Sequence, residues 1–325
     1  MRRFRKSLID TMNIAYIGLG KMGRNMVERL ITRGYTVIAY DSNPEARVLT
    51  EKLGATVVDT IGALIKNTST PRTIWVMVPH HVVETVLGEL KPHLGKGDTI
   101  IEGGNSPFKE SIRRHKEFAA MGVAFLDAGI SGGPGGAKDG ACIMVGGTQE
   151  HYEIHEPLFK DLAVLNGYAY VGSTGAGHFV KMVHNGIEYG MMQALAEGFD
   201  MLQQAQFEKP LPLTAIANLY NHGSVIESRL VLWLLKGFET YGEDLRTITG
   251  SAQASGEGLW TVKTAKDMGI PVDVIEGALT ARKKSLTSPS YQGQLISVMR
   301  NQFGGHDATS LPAGRTSLPA GRKHS

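Results

Sequence analysis

The turn Gly18-Leu19-Gly20-Lys21-Met22-Gly23 constrains this chain more than any other stretch, because of what flanks it. An apolar, β-rich run, Asn13–Ile17, leads directly into the turn, and a helical pattern, Met22–Arg33, leads out of it. Glycines at this spacing, between a strand and a helix, meet three needs. They permit a tight turn, let backbone approach a pyrophosphate, and let the helix pack closely on the strand. The free N–H groups and dipole at the helix start then favour phosphate charge. A lone glycine fingerprint is weak, but here an acid follows at the expected distance. Asp41 stands eighteen residues after Gly23, at the end of a second strand run, Thr36–Tyr40. It is placed to accept hydrogen bonds from an adenosine ribose and to repel a 2′-phosphate, and Ser42-Asn43-Pro44 supplies no arginine. NAD is therefore expected over NADP. The plainer alternative is that Asp41 only caps the helix that follows Pro44.

Further strand runs are expected at Thr73–Val78, Thr99–Glu102, Val123–Asp127 and Ala141–Val145. Most are continuously apolar, as in strands covered on both faces of a parallel sheet. Helical patterns at Met22–Arg33, Pro44–Leu53 and His81–Leu90 fall between the runs. After Gly175 the rhythm stops. Segments of helical spacing follow at Gly177–Gln206, Leu213–Tyr220, Val225–Thr240, Gly256–Met268, Val272–Ser285 and Tyr291–Asn301. The expected fold is an α/β Rossmann-type doubly wound domain, residues 13–174, followed by an all-α domain, residues 175–306, with the boundary at Gly172-Ser173-Thr174-Gly175. Residues 1–12 read as an extension: an unstructured arm, or the product of an upstream start codon with Met12 as the natural first residue. A tandem repeat, Thr309–Arg315 and Thr316–Arg322, cannot build a core, so 307–325 reads as a disordered tail.

The formal charge of +3 raises the question of a nucleic-acid partner. Residues 1–11 carry +3 and residues 307–325 carry +2, so the body between them is −2. No cationic footprint for a polyanion remains. No apolar run approaches the roughly 18 residues of a membrane span. The single cysteine, Cys142, sits in the apolar run Ala141–Val145 and is expected to be a buried strand residue rather than a reactive thiol. A reducing cytoplasm fits. No cluster of the eleven histidines has convincing metal-ligand spacing, so no metal is expected.

The most informative helical segment begins Gly177-His178-Phe179-Val180-Lys181. Lys181, His184, Asn185, Glu188 and Tyr189 stand at i, i+3, i+4, i+7 and i+8, on one helix face. Phe179, Val180, Met182, Val183, Ile187, Met191 and Met192 make the remainder apolar, so the helix is expected to be buried nearly all round apart from this strip. An ordinary solvent-facing stripe is the bland alternative, but such stripes favour long Glu and Lys side chains. Gly186 and Gly190 weaken the helix and suggest close approach of another backbone or a ligand. Lys181 and Glu188 then offer a base and an acid.

In these residues the chain resembles the decarboxylating 6-phosphogluconate dehydrogenase family, over nearly all its length, from Asn13 to His306. The pieces are Gly18–Gly23, Ile101-Glu102-Gly103-Gly104-Asn105-Ser106, Ser131-Gly132-Gly133 and the segment Gly177–Tyr189. Arg282 and Arg300-Asn301-Gln302-Phe303-Gly304-Gly305-His306 complete them. Lys-Met-Val-His-Asn-Gly-Ile-Glu-Tyr is specific to this family; Ser-Gly-Gly is shared with other β-hydroxyacid dehydrogenases.

The resemblance implies oxidation of 6-phosphogluconate at C3, decarboxylation to ribulose 5-phosphate, and a place in the pentose phosphate pathway. It makes Lys181 the general base and Glu188 the acid. It assigns Gly18, Leu19, Gly20, Lys21, Met22, Gly23, Asp41, Val78 and Asn105 to the cofactor. Asn105, Ser131, Gly132, Gly133, His184 and Asn185 would hold the sugar acid's hydroxyls and carboxylate, and Tyr189 and Arg282 its phosphate. Arg300 and His306 would fall on a C-terminal segment that reaches into a partner's active site, which implies a homodimer. The plain reading of Arg300 is a solvated charge at a helix end. The chain is too short for the duplicated helical region of longer members, so it resembles the short bacterial type. Leu259 stands where many longer relatives place a phosphate-binding lysine.

Two rival functions remain open from sequence. One is another β-hydroxyacid dehydrogenase, of the 3-hydroxyisobutyrate or tartronate semialdehyde type, which needs neither Arg282 nor the Arg300/His306 tail. The other is a non-catalytic dinucleotide-binding regulator, which predicts loss of Lys181 or Glu188.

Overall fold

The computed structural model describes residues 13–253 and 256–309. The expected extension at 1–12, and the tail with its repeat from residue 310 onward, lie outside them. The chain forms two compact units that divide between Asn185 and Gly186.

The described part of the first unit has eight strands: β1 (Asn13–Ile17), β2 (Thr36–Tyr40), β3 (Thr56–Val57), β4 (Thr73–Val76), β5 (Thr99–Glu102), β6 (Ala124–Ser131), β7 (Ala141–Gly146) and β8 (Ala163–Gly172). They form one sheet in the order β3-β2-β1-β4-β5-β6-β7-β8, parallel throughout except for the β6–β7 pair. The order reverses between β1 and β4, and the C-terminal ends beside such a switch point are where open α/β sheets bind ligands. Seven helices connect the strands: α1 (Lys21–Thr32), α2 (Pro44–Glu51), α3 (Ile61–Lys66), α4 (Val83–Leu90), α5 (Phe108–Ala119), α6 (Gly133–Asp139) and α7 (Gln149–Leu162).

Alternate strand residues feed two separate cores. Ile14, Tyr16 and Trp75 pack with Met26 and Leu30 of α1 and Leu158 and Phe159 of α7. Ala15, Ile17 and Ile74 pack with Leu64 of α3, Leu87 of α4 and Phe118 of α5. Both faces are apolar, which is why these strands read as continuous apolar runs. Each fully buried aliphatic or aromatic side chain contributes roughly 1.5–3 kcal/mol.

Helix α8 (Ala176–Gln204) runs through the division between the units. The division thus comes later than the small-residue run at Gly172–Gly175, because the first turns of α8 pack onto the sheet. The second unit is helical: α9 (Leu213–Tyr220), α10 (Arg229–Tyr241), α11 (Glu257–Asp267), α12 (Asp273–Thr287) and α13 (Tyr291–Gly304). Its main core joins Met192 and Phe199 of α8 to Leu234 and Phe238 of α10 and Leu295 and Val298 of α13. Gly237 lets α10 and α13 approach; a Cβ there would meet Val298 Cγ2 at 2.6 Å. Among the described residues no helix is long and apolar enough to cross a membrane.

Several expectations are corrected. Cys142 is exposed, not buried. The side-chain period of two turns it away from Ala141 and Ile143, which enter the core. Strand β8 escaped the sequence reading because it lies at the sheet edge with mostly part-exposed residues, and its polar Asn166-Gly167 breaks the apolar pattern. The C-terminal tail does not begin at 307: Ala308 is buried, its carbonyl accepts the Thr249 N–H at 2.7 Å, and Thr309 bridges to Ile248.

Candidate active site

In the first unit, the end of β1 is tied to both neighbours. The Met77 N–H donates to the Ile17 carbonyl at 2.7 Å, and the Gly18 N–H donates to the Tyr40 carbonyl at 2.9 Å. Gly18 sits at φ +98°, and a Cβ there would run into the Met77 carbonyl oxygen. A Cβ on Gly23 would run into the Gly18 carbonyl. Gly20 differs: it is exposed, and a Cβ there would meet nothing within 4 Å. It precedes α1, which has neither a side-chain cap nor an acid in its first turn. Two glycines are thus demanded by the fold and the middle one is not. A pyrophosphate lying against the uncapped helix start accounts for it. The cradle fits a dinucleotide. Leu19 is buried in it, Met22 half-buried and Lys21 exposed.

Asp41 turns its carboxylate toward this turn. Oδ2 accepts the Leu19 N–H at 2.6 Å and Oδ1 the Asn43 N–H at 2.7 Å. The cap of α2 is Asn43, whose side chain accepts the Glu45 N–H. Asp41 is therefore not the cap of that helix. Sequence reasoning missed Arg47, which α2 swings back so that Nη1 donates to the Asp41 carbonyl at 2.8 Å while Nη2 pairs with Asp59 at 3.2 Å.

The neighbouring strand ends carry the next group. Val78, beyond β4, is half-buried, and its carbonyl lies where a Cβ on Gly104 would be. That contact holds the Gly103–Asn105 turn close, with Asn105 half-buried. Beneath it Glu102 is wholly buried. Its Oε1 accepts the Ser106 hydroxyl at 2.8 Å and its Oε2 accepts Arg114 Nη1 at 3.0 Å. Burial pushes the Glu102 carboxyl above the usual range, and the charges of His178 and Arg114 oppose that shift. Buried Asp127, at the centre of β6, receives the start of α8: Oδ1 accepts the Gly175 N–H at 2.6 Å and Oδ2 the His178 N–H at 2.8 Å. This carboxylate suits the positive end of the helix dipole. Two residues on, a Cβ at Gly129 would collide with Lys181 Cβ, so this glycine lets Lys181 settle on the end of β6.

Lys181 is only 6% exposed and Asn185 9%. Ser131 Oγ lies 3.1 Å from His184 Nε2, and His184 Nδ1 lies 3.0 Å from Asn185 Oδ1, which joins three of the expected residues in one chain of hydrogen bonds. Gly132, at φ +122°, and Gly133 open α6 beside them.

The second unit contains the rest. Tyr189 is buried, with the Arg282 guanidinium stacked 3.4 Å from its ring centroid. Arg282 is 2% exposed, and its Nε is buried without a hydrogen-bond partner. Burial drives its pKa down to about 10; Tyr189 and Glu188 oppose the shift, and the Arg300 charge adds to it. Burial likewise lowers Arg300, against Tyr189, Glu188 and Glu257. Two desolvated guanidiniums near each other are a deficit that a bound anion relieves. Arg300 is 8% exposed and belongs to its own chain's cluster. That replaces the solvated helix-end reading. His306 is exposed, edge-on to Phe303. Leu259 is half-exposed on α11.

The α8 helix departs from expectation in part: Met182 and Met192 are buried as expected, but so is much of the polar stripe. Lys181, Asn185 and Tyr189 are buried, whereas Val180, Ile187 and Met191 are exposed on one apolar face. Gly186 and Gly190 face neighbouring helices rather than a ligand: a Cβ would meet Thr261 Cγ2 at 2.6 Å and Val274 Cγ1 at 3.1 Å. Asp127 and Gly129 went unnoticed in sequence because their partners on α8 lie far along the chain, and Glu102 stood there only as one residue of a motif. Among the described residues no group of three or more His, Cys, Asp or Glu side chains is placed to hold a metal.

Comparison with known proteins places the chain in a family. Residues 13–172 match the NAD binding domain of 6-phosphogluconate dehydrogenase, and residues 177–292 match that family's C-terminal domain. YqeC of Bacillus subtilis (strain 168), which carries the provisional name 6-phosphogluconate dehydrogenase, is 47% identical over 91% of this chain and 98% of its own. The NAD(+)-dependent, decarboxylating 6-phosphogluconate dehydrogenase of Haloferax volcanii is 38% identical over 91% and 98%. An NADP(+)-dependent one from Bacillus subtilis is 36% identical, and this chain covers 61% of it. The solved Plasmodium falciparum 6-phosphogluconate dehydrogenase superposes with a TM-score of 0.75 at 28% identity, over 94% of this chain and 67% of that one. The chain belongs to the 6-phosphogluconate dehydrogenase family of oxidoreductases.

Proposed function

We propose that this protein converts 6-phosphogluconate to ribulose 5-phosphate and carbon dioxide, with NAD as the preferred acceptor. The observation that carries the substrate choice is the pair of buried arginines, Arg282 and Arg300, beside Tyr189. A non-phosphorylated 3-hydroxy acid has only its carboxylate to offer, and on this reading Asn105, Ser131 and Asn185 hold that group, whereas a phosphate dianion matches a second set of guanidinium donors. Asp41, held by two backbone N–H groups beside the glycine turn, supports NAD, because its charge opposes a 2′-phosphate.

Bound nicotinamide supplies the hydride acceptor for C3. Lys181, in its amine form, takes the proton from the C3 hydroxyl as that hydride leaves. The C3 carbonyl is then β to the carboxylate, so the C1–C2 bond breaks, carbon dioxide departs and the electron pair moves toward the C3 oxygen. Protonated Lys181 stabilises that enolate oxygen. Glu188 delivers a proton to the former C2, which becomes C1 of ribulose 5-phosphate. Lys181 and Glu188 lie two helical turns apart, roughly 10 Å along the α8 axis. Asn105, Ser131, Gly133, His184 and Asn185 orient the hydroxyls and carboxylate.

The same reading includes a homodimer in the cytoplasm. The apolar face Val180, Ile187, Met191 on α8 and the exposed His306 support a subunit contact, and the single cysteine suits a reducing compartment. The test is a substrate panel with purified protein: 6-phosphogluconate should be turned over with NAD, and gluconate, 3-hydroxyisobutyrate and tartronate semialdehyde poorly or not at all. Preference for a non-phosphorylated 3-hydroxy acid would move the chain to another branch of the β-hydroxyacid dehydrogenases.

A further inference from the structure

Glu102 takes no part in the chemistry proposed above, yet it is a wholly buried acid tied into a network. It is 0% exposed, and both carboxylate oxygens are engaged. One arm of its network reaches forward. Ser106 Oγ donates to Glu102 Oε1, Arg114 Nη1 lies 3.1 Å from the same hydroxyl, and the Ser106 N–H closes the turn onto the Gly104 carbonyl at 2.9 Å. Asn105 is carried between these anchors. The other arm reaches α8: His178 Nδ1 lies 3.7 Å from Glu102 Oε2 and 2.8 Å from Ser111 Oγ. His178 stands one turn before Lys181. Arg114 is itself braced from outside, its Nε donating to Glu84 Oε1 at 2.7 Å.

A buried ion pair of this kind is weak evidence for stability, because desolvation offsets much of its attraction. What a fully hydrogen-bonded buried network supplies is a single geometry. We propose that Glu102 is a positioning residue that fixes Asn105 relative to Lys181, with Ser106, Arg114 and His178 as its contacts. The inference rests on the reading that Asn105 and Lys181 serve the reaction. Displacing a reacting or orienting group by about 1 Å can slow chemistry on the order of 100-fold.

Ser106→Ala in the full-length protein removes the hydroxyl between Glu102 and Arg114 but leaves their ion pair, so it should fold. Ser106→Thr keeps the hydroxyl, and Glu102→Gln removes the charge. Turnover is measured with 6-phosphogluconate and with its C3-deuterated form, alongside NADH binding by fluorescence and thermal melting. Ser106→Ala should lower kcat about tenfold while NADH affinity and melting temperature stay near wild type. The deuterium effect on kcat should rise as hydride transfer becomes limiting, and Ser106→Thr should recover most of the rate. A purely structural role lowers kcat only in proportion to the fraction of active sites, with an unchanged isotope effect; that result overturns the proposal. So does an unchanged kcat in Ser106→Ala. If Glu102→Gln does not fold, the serine pair decides alone. Lys181→Met serves as the control. Turnover surviving in it condemns the reading of the site itself, whereas a dead Lys181→Met beside a normal Ser106→Ala removes only the positioning role.

Discussion

Gly20→Ala should leave the fold intact and weaken dinucleotide binding, whereas Gly18→Ala and Gly23→Ala should damage the fold. Gly20 has φ −61° and ψ −174°, a conformation open to any L residue, and an added Cβ meets nothing within 4 Å. Alanine there gains roughly 0.4–1 kcal/mol by restricting the unfolded chain. It loses a similar amount, about 0.5–1 kcal/mol, because alanine is a poorer residue than glycine before a helix. The net effect lies within about 1 kcal/mol, or a few degrees of melting temperature. Gly18 instead sits at φ +98°, where a side chain is strained by about 1–3 kcal/mol before any clash with the Met77 carbonyl. On the binding side, a methyl at position 20 separates the helix start from the pyrophosphate. A lost hydrogen bond to a charged oxygen is worth about 1.5–3 kcal/mol, hence a fall in affinity of roughly 10- to 100-fold. Melting curves and NADH fluorescence titrations on the three variants are sufficient. Gly20→Ala that binds NADH within about twofold of wild type refutes the reasoning. So does a Gly20→Ala that melts as low as Gly23→Ala.

Further outcomes follow from the same geometry. Lys181→Met should abolish hydride transfer while NADH still binds, read by single-turnover absorbance and fluorescence; near-normal turnover contradicts the base assignment. Asp41→Ala combined with an arginine at Ser42 should move the ratio of kcat/KM toward NADP by about tenfold or more, roughly 1.4 kcal/mol, and an unchanged ratio removes Asp41 from the specificity argument. Arg47 already stands at the Asp41 carbonyl, so Asp41→Ala alone should give part of this shift. Affinity for 6-phosphogluconate should fall as pH rises through about 10. There Arg282 of the free enzyme loses its proton, while the phosphate, with its second pKa near 6, stays a dianion. Gluconate affinity should be flat across the same range, and a parallel fall for both ligands rules out Arg282 as the phosphate's partner.

The sheet was legible where burial is symmetrical. β1, β2, β4 and β5 are covered on both faces, and their apolar runs stand out in the sequence. β8 was not legible, since an edge strand with part-exposed residues and an Asn-Gly interruption carries no such signal. The cofactor turn was legible because strand, turn, helix and acid are close in sequence. Arg47 was missed because only a helical turn brings it back to Asp41. The α8 stripe announced its residues through helical spacing, but spacing does not say which face is buried; Val180, Ile187 and Met191 proved to be the exposed side. Asp127 and Gly129 were invisible, because each acts on a partner more than one element away in sequence, such as Asp127 on His178. Glu102 and Ser106 stood in a recognised motif, but their burial and link to Arg114 emerge only in three dimensions. Arg282 and Arg300 were found through resemblance alone; their burial and mutual electrostatic strain emerge only in three dimensions.

The central claim is that hydride removal at C3 of 6-phosphogluconate is followed by loss of C1. It is tested most directly with substrate labelled at C1, by counting NADH formed against labelled carbon dioxide released by the same enzyme sample. Equal amounts are expected throughout the reaction. NADH accumulating without labelled carbon dioxide, or with far less of it, contradicts the claim.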